Sequence, residues 1–268
     1  MNIHSKTRAK SEVSDNFSNT LVLQSHRQPL PYPWIESCLD SVARWSEINN
    51  FDYRFIGDEL FDPVAAPLLD KTAKQKVIAT DLARLYALRD GLRQGYQTVI
   101  WCDADFLIFN PLEFVLPDSS YALGREVWVQ VDTNSRLKAY GKVHNAFLMF
   151  RAGNSFLDFY TETAERLLHL NTGVMPPQFI GPKLLTAMHN IAICPVMETA
   201  GMLSPLVSRD LIKGQGGALD LFRKKSPVQI CAANLCSSLV DQEAMSNEAM
   251  ADLIERLMES GVGQRLPR

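Results

Sequence analysis

The sequence predicts an α/β fold built on a mostly parallel sheet, and three observations carry that expectation. Short apolar runs of strand length alternate with longer stretches of helical period, the pattern that places helices between parallel strands. One run, Thr98-Val99-Ile100-Trp101-Cys102, is apolar throughout, as in a strand covered on both faces. The chain has 268 residues, 46% hydrophobic and 21% charged, which suits one large globular domain.

Residues 1–18 are polar and lack periodicity, so a disordered tail is expected there. The first strand is Thr20-Leu21-Val22-Leu23-Gln24, closed by a loop with Pro29 and Pro31. A helix over about 33–49 follows, with Ile35, Leu39, Val42 and Trp45 at helical spacing. Residues 51–56 alternate and stop at Gly57, a second strand. A helix over about 74–93 carries the stripe Ile78, Leu82, Leu85, Leu88 and Leu92 and leads into the apolar run at 98–102. Further strands are expected at 121–123, 127–131 and 146–150, and helices at about 155–170 and 182–190. The domain is expected to span 19–240, with residues 241–268 forming an amphipathic helix (about 242–260) packed on it.

A net charge of −3 gives no broad attraction to nucleic acid or anionic lipid. The five cysteines are odd in number and scattered, without a CxxC pair, as for free thiols in a reducing compartment. No apolar segment follows the basic residues near the start, and none reaches the ~20 residues needed to cross a bilayer. A cytoplasmic protein is the expectation.

The chemistry concentrates at Asp103-Ala104-Asp105, directly after the apolar strand. Open α/β sheets bind ligands beyond the carboxyl ends of their strands, and side chains two apart in an extended segment point the same way. Two carboxylates converging there repel unless a cation lies between them, and Mn²⁺ or Mg²⁺ with substrate phosphates is the usual arrangement for such a pair. Alone, the same three residues also read as an acidic turn. On the preceding helix, Asp81 falls within the apolar stripe and Arg84 lies one turn on, so the two pair with each other or face a ligand. Lys213-Gly214-Gln215-Gly216-Gly217 reads as a lid or a flexible connector, and it lacks the GK(S/T) ending of a phosphate-binding loop.

The run T-D-L-A-R-L-Y-A-L-R-D-G-L, followed by W-C-D-A-D-F-L-I-F-N-P, resembles the DXD-sugar-binding family of GT-A glycosyltransferases, which includes outer-chain-initiating mannosyltransferases and glucosylating toxins. Thr80, Asp81, Arg84, Asp103, Asp105 and Pro111 match its pattern. So do the opening strand and proline loop, the Asn145-Ala146-Phe147 segment and the turn Gly181-Pro182, over roughly 20–240. The stretch Tyr96 to Trp101 is closer to the glycogenin-like and lipopolysaccharide-galactosyltransferase family.

What the resemblance implies is a GT-A-type, Rossmann-like single domain moving a hexose from a UDP- or GDP-sugar to a hydroxyl acceptor, with retention. Asp103 and Asp105 would hold the metal, and Asp81 and Arg84 would act with them in catalysis while touching the sugar. Gln24, Ser25, His26, Ala104, Asn145 and Ser237 would line the donor pocket. The family's third metal ligand, often histidine, has no counterpart after His189, and Asn234 is the candidate in its place. Two other readings remain: an aspartate-based phosphohydrolase, whose strand also ends in D-x-D, and a non-catalytic nucleotide-sugar binder.

Overall fold

The protein is seen here in a computed structural model that describes residues 18–242 and 244–262. The expected tail lies, except for Ser18, outside the described residues, as does the end of the chain after Val262. The elements in chain order are β1 (Thr20–Ser25), α1 (Trp34–Ile48), β2 (Asp52–Ile56), a 3-10 turn (Asp58–Phe61), α2 (Ala66–Thr72), α3 (Lys76–Arg93), β3 (Thr98–Cys102) and β4 (Phe106–Ile108). Then come β5 (Tyr121–Val131), β6 (Leu137–Arg151), α4 (Ser155–Leu170), α5 (Pro182–Ala192), β7 (Val196–Met197), β8 (Ala200–Met202), α6 (Pro205–Lys213) and α7 (Gly217–Lys225). The last are β9 (Ala232–Asn234), α8 (Ser238–Asp241) and α9 (Asn247–Ser260).

The six-stranded sheet has the order β2-β1-β3-β6-β5-β7. β2, β1 and β3 are parallel neighbours; β6 runs against β3 and β5, and β7 runs with β5. Only β6 opposes the rest, so the sheet is mostly parallel and flanked by helices, as the alternating pattern predicts. A three-stranded sheet, β4-β9-β8, packs beside it in the same domain. Its strands have three residues each, too short to leave a periodic signal.

β3 is buried along its whole length, which is why its five residues are all apolar or small. α3 seats Ile78, Leu82, Leu85 and Leu88 in the core on one face of the sheet. Gly91 lets the helix approach closely, since a Cβ there would lie 2.7 Å from Val99 Cγ1. On the other face, α1 packs Val42 and Trp45 against β3 and β4 residues. A third cluster joins α6, α7 and α9, with Leu253 and Leu257 of α9 fully buried in it. The last helix thus packs on the domain, although it starts at Asn247, where the Ser246 side chain caps it.

The two strands expected at 121–123 and 127–131 are one, β5, bent by a register shift between Leu123 and Gly124. The bend admits the His144 ring: a Cβ on Gly124 would lie 2.1 Å from it. The strand expected at 146–150 begins at Leu137, because it pairs with all of β5 through the turn Asp132–Arg136. The glycine-rich 213–217 segment is a tight turn between α6 and α7. Gly214 ends α6 in the left-handed region, and Asp210 Oδ2 accepts the first amides of α7, Ala218 N at 2.9 Å and Leu219 N at 3.1 Å.

Candidate functional site

β3 delivers Asp103 to the seam between the two sheets. The Asp103 amide donates to Ala146 O at 2.9 Å, and its carbonyl accepts the Phe106 amide at 3.0 Å and Gln24 Nε2 at 3.0 Å. That turn carries the chain from β3 into β4 through Ala104 and Asp105. The Asp105 carbonyl accepts Leu235 N at 2.9 Å, tying the turn to the chain just after β9. Both side chains open on one cleft of ≈ 350 Å³, although the segment is a turn closed by the Phe106 amide on Asp103 O and not the extended run expected from the sequence.

The two carboxylates are held differently. Asp103 Oδ1 accepts Trp101 Nε1 at 2.7 Å and lies 3.0 Å from Arg84 Nη1. Asp103 Oδ2 has no protein partner among the described residues. Asp105 Oδ1 accepts Asn234 Nδ2 and its Oδ2 accepts the Ser237 amide, both at 2.6 Å. Asn234 Oδ1 in turn accepts the amide of Cys236, whose φ of 56° puts a non-glycine residue in the left-handed region. Strain of that kind persists where surrounding bonds over-determine the backbone.

Behind Asp103 lies a buried polar group. Arg84 is 5% exposed; its guanidinium sits over the Trp101 ring at 5.3 Å, lies 3.4 Å from Asp81 Oδ1 and donates to Asn145 O at 2.8 Å. Asn145 Nδ2 donates to Asp81 Oδ1 at 2.7 Å. Asp81 Oδ2 is buried without a hydrogen-bond partner and faces Gly181, where a Cβ would come within 2.5 Å of it. Two carboxylates, Asp81 and Asp103, therefore flank one guanidinium. Burial raises the pKa of Asp81, against the pull of Arg84 and Asn145. It also raises Asp103 to about 6, with Arg84 opposing and Asp105 adding. Burial disfavours the charge on Arg84, but Asp103 and Asp81 outweigh it and its pKa rises.

Of the residues expected at the site, Ser25, His26, Arg84, Asp103, Ala104, Asp105 and Ser237 line the cleft. Gln24, Asp81, Asn145 and Asn234 do not; each is at most 5% exposed. Gln24 spans Asp103 O and the Tyr53 hydroxyl, so it braces the turn. Asn234 turns its amide nitrogen to Asp105 and its oxygen to Cys236, so it holds a carboxylate and offers the cleft no oxygen. That departs from its expected part as a metal ligand: its nitrogen faces Asp105, and its oxygen is turned to the Cys236 amide in a residue 4% exposed. Sequence reasoning passed over Arg27 and Lys76, two cations of the cleft wall, and Asp58 and Phe61 beside them. Their signal was positional: Arg27 follows the first strand and Lys76 opens α3.

The chemistry of the wall suits a hard divalent cation. Asp103 Oδ2 and the second lone pairs of the Asp105 oxygens are oxygen donors in a cleft whose wall also carries the cations Arg27, Lys76 and Arg84. Among the described residues no group of three or more His, Cys, Asp or Glu converges. All five cysteines are free thiols. No described helix is long and apolar enough to cross a membrane.

No family model matches the chain, and no curated protein matches it. Among solved structures it is similar to a glycosyltransferase involved in the glycosylation of the major capsid of PBCV-1, at 10% identity and a TM-score of 0.48, over 88% of this chain and 98% of that one. It is also similar to the galactosyltransferase LgtC in complex with donor and acceptor sugar analogues, at 11% identity and a TM-score of 0.42, over 88% of this chain and 95% of that one. Both neighbours are glycosyltransferases, but likeness at this level carries no assignment for the chain itself.

Proposed function

We propose that this chain is a divalent-metal-dependent glycosyltransferase that moves a hexose from a nucleoside diphosphate sugar to a hydroxyl acceptor. One observation carries the reading: Asp103 and Asp105 share a cleft with Arg27 and Lys76, and the buried Arg84 is locked to Asp103. Acidic groups for a cation beside basic groups for phosphate oxygens are what a diphosphate leaving group calls for.

Asp103 and Asp105 would hold Mn²⁺ or Mg²⁺, which when bound neutralises the charge that grows on the leaving diphosphate. Arg84 fixes Asp103 and keeps its own charge through its carboxylate partners. Arg27 donates N–H groups of its planar guanidinium to phosphate oxygens, and Lys76 meets them as a point charge. Asn234 and the Ser237 amide fix Asp105, so the carboxylate need not reorganise as charge develops. Asp81 and Asn145 shape the wall from behind through Arg84. Retention is inferred from the resemblance to the DXD-sugar-binding family, with attack on the face the diphosphate leaves. Action in the cytoplasm fits the free cysteines.

Thermal shift with UDP- and GDP-sugars, with and without Mn²⁺, tests the binding step. A metal-dependent rise in Tm with at least one nucleotide sugar is expected, and none with any of them would sink the proposal. An assay for sugar transfer or donor hydrolysis then separates an enzyme from a binder; turnover is expected.

A further inference from the structure

A second cavity, of ≈ 440 Å³, lies between the end of β2, the 3-10 turn and the outer side of α3. The 3-10 turn divides it from the cleft. Asp58 and Phe61 of that turn line the cleft, Glu59 and the following Pro63 line the cavity, and Leu60, 4% exposed, is common to both walls. None of the residues assigned above to the metal or the donor lines the cavity. Its size falls within the range of small-molecule sites.

The charges of its wall are not paired with one another. Arg89 and Arg93 stand one turn apart on α3, on the same face. Arg89 is half-buried; its guanidinium lies over the Tyr86 ring at 5.3 Å, and its Nε is buried without a hydrogen-bond partner. Arg93 is exposed. Neither arginine forms an ion pair among the described residues. The two acids of the wall, both exposed, are engaged elsewhere: Asp90 Oδ2 accepts Gln94 Nε2, and Glu59 Oε1 accepts the Gly57 amide at 2.9 Å. Each keeps lone pairs for a further donor. A buried donor without a partner is rare in a native fold, and an anionic oxygen is the partner that Arg89 lacks.

We propose that this cavity is a second ligand site and that it takes a sugar phosphate. Two guanidiniums one turn apart present planar forks of N–H groups, the geometry that receives phosphate oxygens. The carboxylates of Glu59 and Asp90 accept hydroxyl groups, and Ile56, Leu60 and Ala87 give the carbon skeleton an apolar wall. Inorganic phosphate would engage the arginines alone, and an uncharged sugar the carboxylates alone. A molecule that carries both ends gains most. The site needs neither the metal nor the nucleotide of the cleft, so it does not rest on the donor reading.

Calorimetric titration of the full chain in EDTA with the 1- and 6-phosphates of glucose, galactose and mannose tests this, with inorganic phosphate and glucose as controls. At least one ester should bind about tenfold tighter than inorganic phosphate, and glucose should bind more weakly than either. Arg89→Gln should weaken that ester by about tenfold. Because Arg89 is half-buried, Arg93→Gln is the companion variant: it changes an exposed side chain, should keep the wild-type melting temperature and should also weaken the ester at least threefold. Lys76→Gln, in the cleft, should leave the ester's affinity unchanged. Binding lost in Lys76→Gln but kept in both arginine variants would place the ester in the cleft and overturn the second site, as would no binding of any ester. An ester no tighter than inorganic phosphate would overturn the sugar. Nucleotide-sugar binding in Mn²⁺ is a separate readout, so failure here leaves the donor reading standing.

Discussion

Asp105 has each carboxylate oxygen fixed by a protein N–H at 2.6 Å, while Asp103 leaves Oδ2 open to the cleft. A clamped carboxylate beside a partly free one is preorganised at one point and adaptable at the other. Asp105→Asn removes the charge and sets an amide among donors, so initial rates at saturating Mn²⁺ should fall on the order of 10²–10³-fold. Circular dichroism should show the fold retained. Asn234 acts through Asp105, which separates its test from that of a ligand. Asn234→Ala should weaken Mn²⁺ binding by about tenfold. Asn234→Asp should weaken it further, because a second carboxylate then faces Asp105. Tighter Mn²⁺ binding by Asn234→Asp in calorimetry would return Asn234 to the ligand set.

At the scale of elements, the polar group behind the site depends on how closely the turn before α5 approaches α3. A Cβ on Gly181 would meet Asp81 Oδ2 at 2.5 Å, Asp81 Cγ at 2.8 Å and Asn145 Nδ2 at 2.9 Å. None of these is the free end of a long chain, so Gly181→Ala has to move the helix or the carboxylate. It should cost about 1–3 kcal/mol in denaturant unfolding. Because Asp81 positions Arg84, kcat should fall as well; a loss of stability with kcat unchanged would separate the packing of Gly181 from the site. The elements that frame this contact were legible because they are long and periodic: β3 and α4 lie where the sequence puts them. The second sheet was not, since strands of three residues offer no period and are defined by their partners. The β5 bend escaped for a related reason, as its cause is a histidine ring supplied by the neighbouring strand.

At the scale of the whole molecule, His144 and Asp103 contribute to stability with opposite dependence on pH. His144 is enclosed between Ala200 O, 3.2 Å from Nε2, and the Ala146 amide, 3.1 Å from Nδ1, and burial lowers its pKa to about 4 from 6.5. A histidine depressed in the folded state contributes stability that is full above pH 6.5 and lost as pH falls through 4, up to about 3 kcal/mol. Asp103, raised from 3.8 to about 6, has the opposite sign: its contribution is full below pH 3.8 and lost as pH rises through 6. Between pH 4 and 6.5 the two partly cancel. Across that window the stability of His144→Gln should therefore hold or rise, relative to wild type, as pH falls, and that of Asp103→Asn should fall more steeply. Equal slopes in all three would mean that neither group is perturbed by the fold.

The sequence by itself determined the α/β class, the placement of Asp103 and Asp105 at the end of a buried strand, and the spacing that puts Arg84 within reach of Asp81 one helical turn on. Those features are local: periodicity, strand alternation and i,i+3 spacing are properties of neighbouring residues. Only the tertiary structure decided which of the expected residues face the cleft and which brace it. Asn234 and Gln24 are polar residues at the right places in the chain. Their orientation depends on Asp105, Cys236, Tyr53 and the Asp103 carbonyl, partners up to 129 residues away. A buried amide turns toward whichever groups leave it fully hydrogen-bonded, and those groups are brought together only when the sheets assemble.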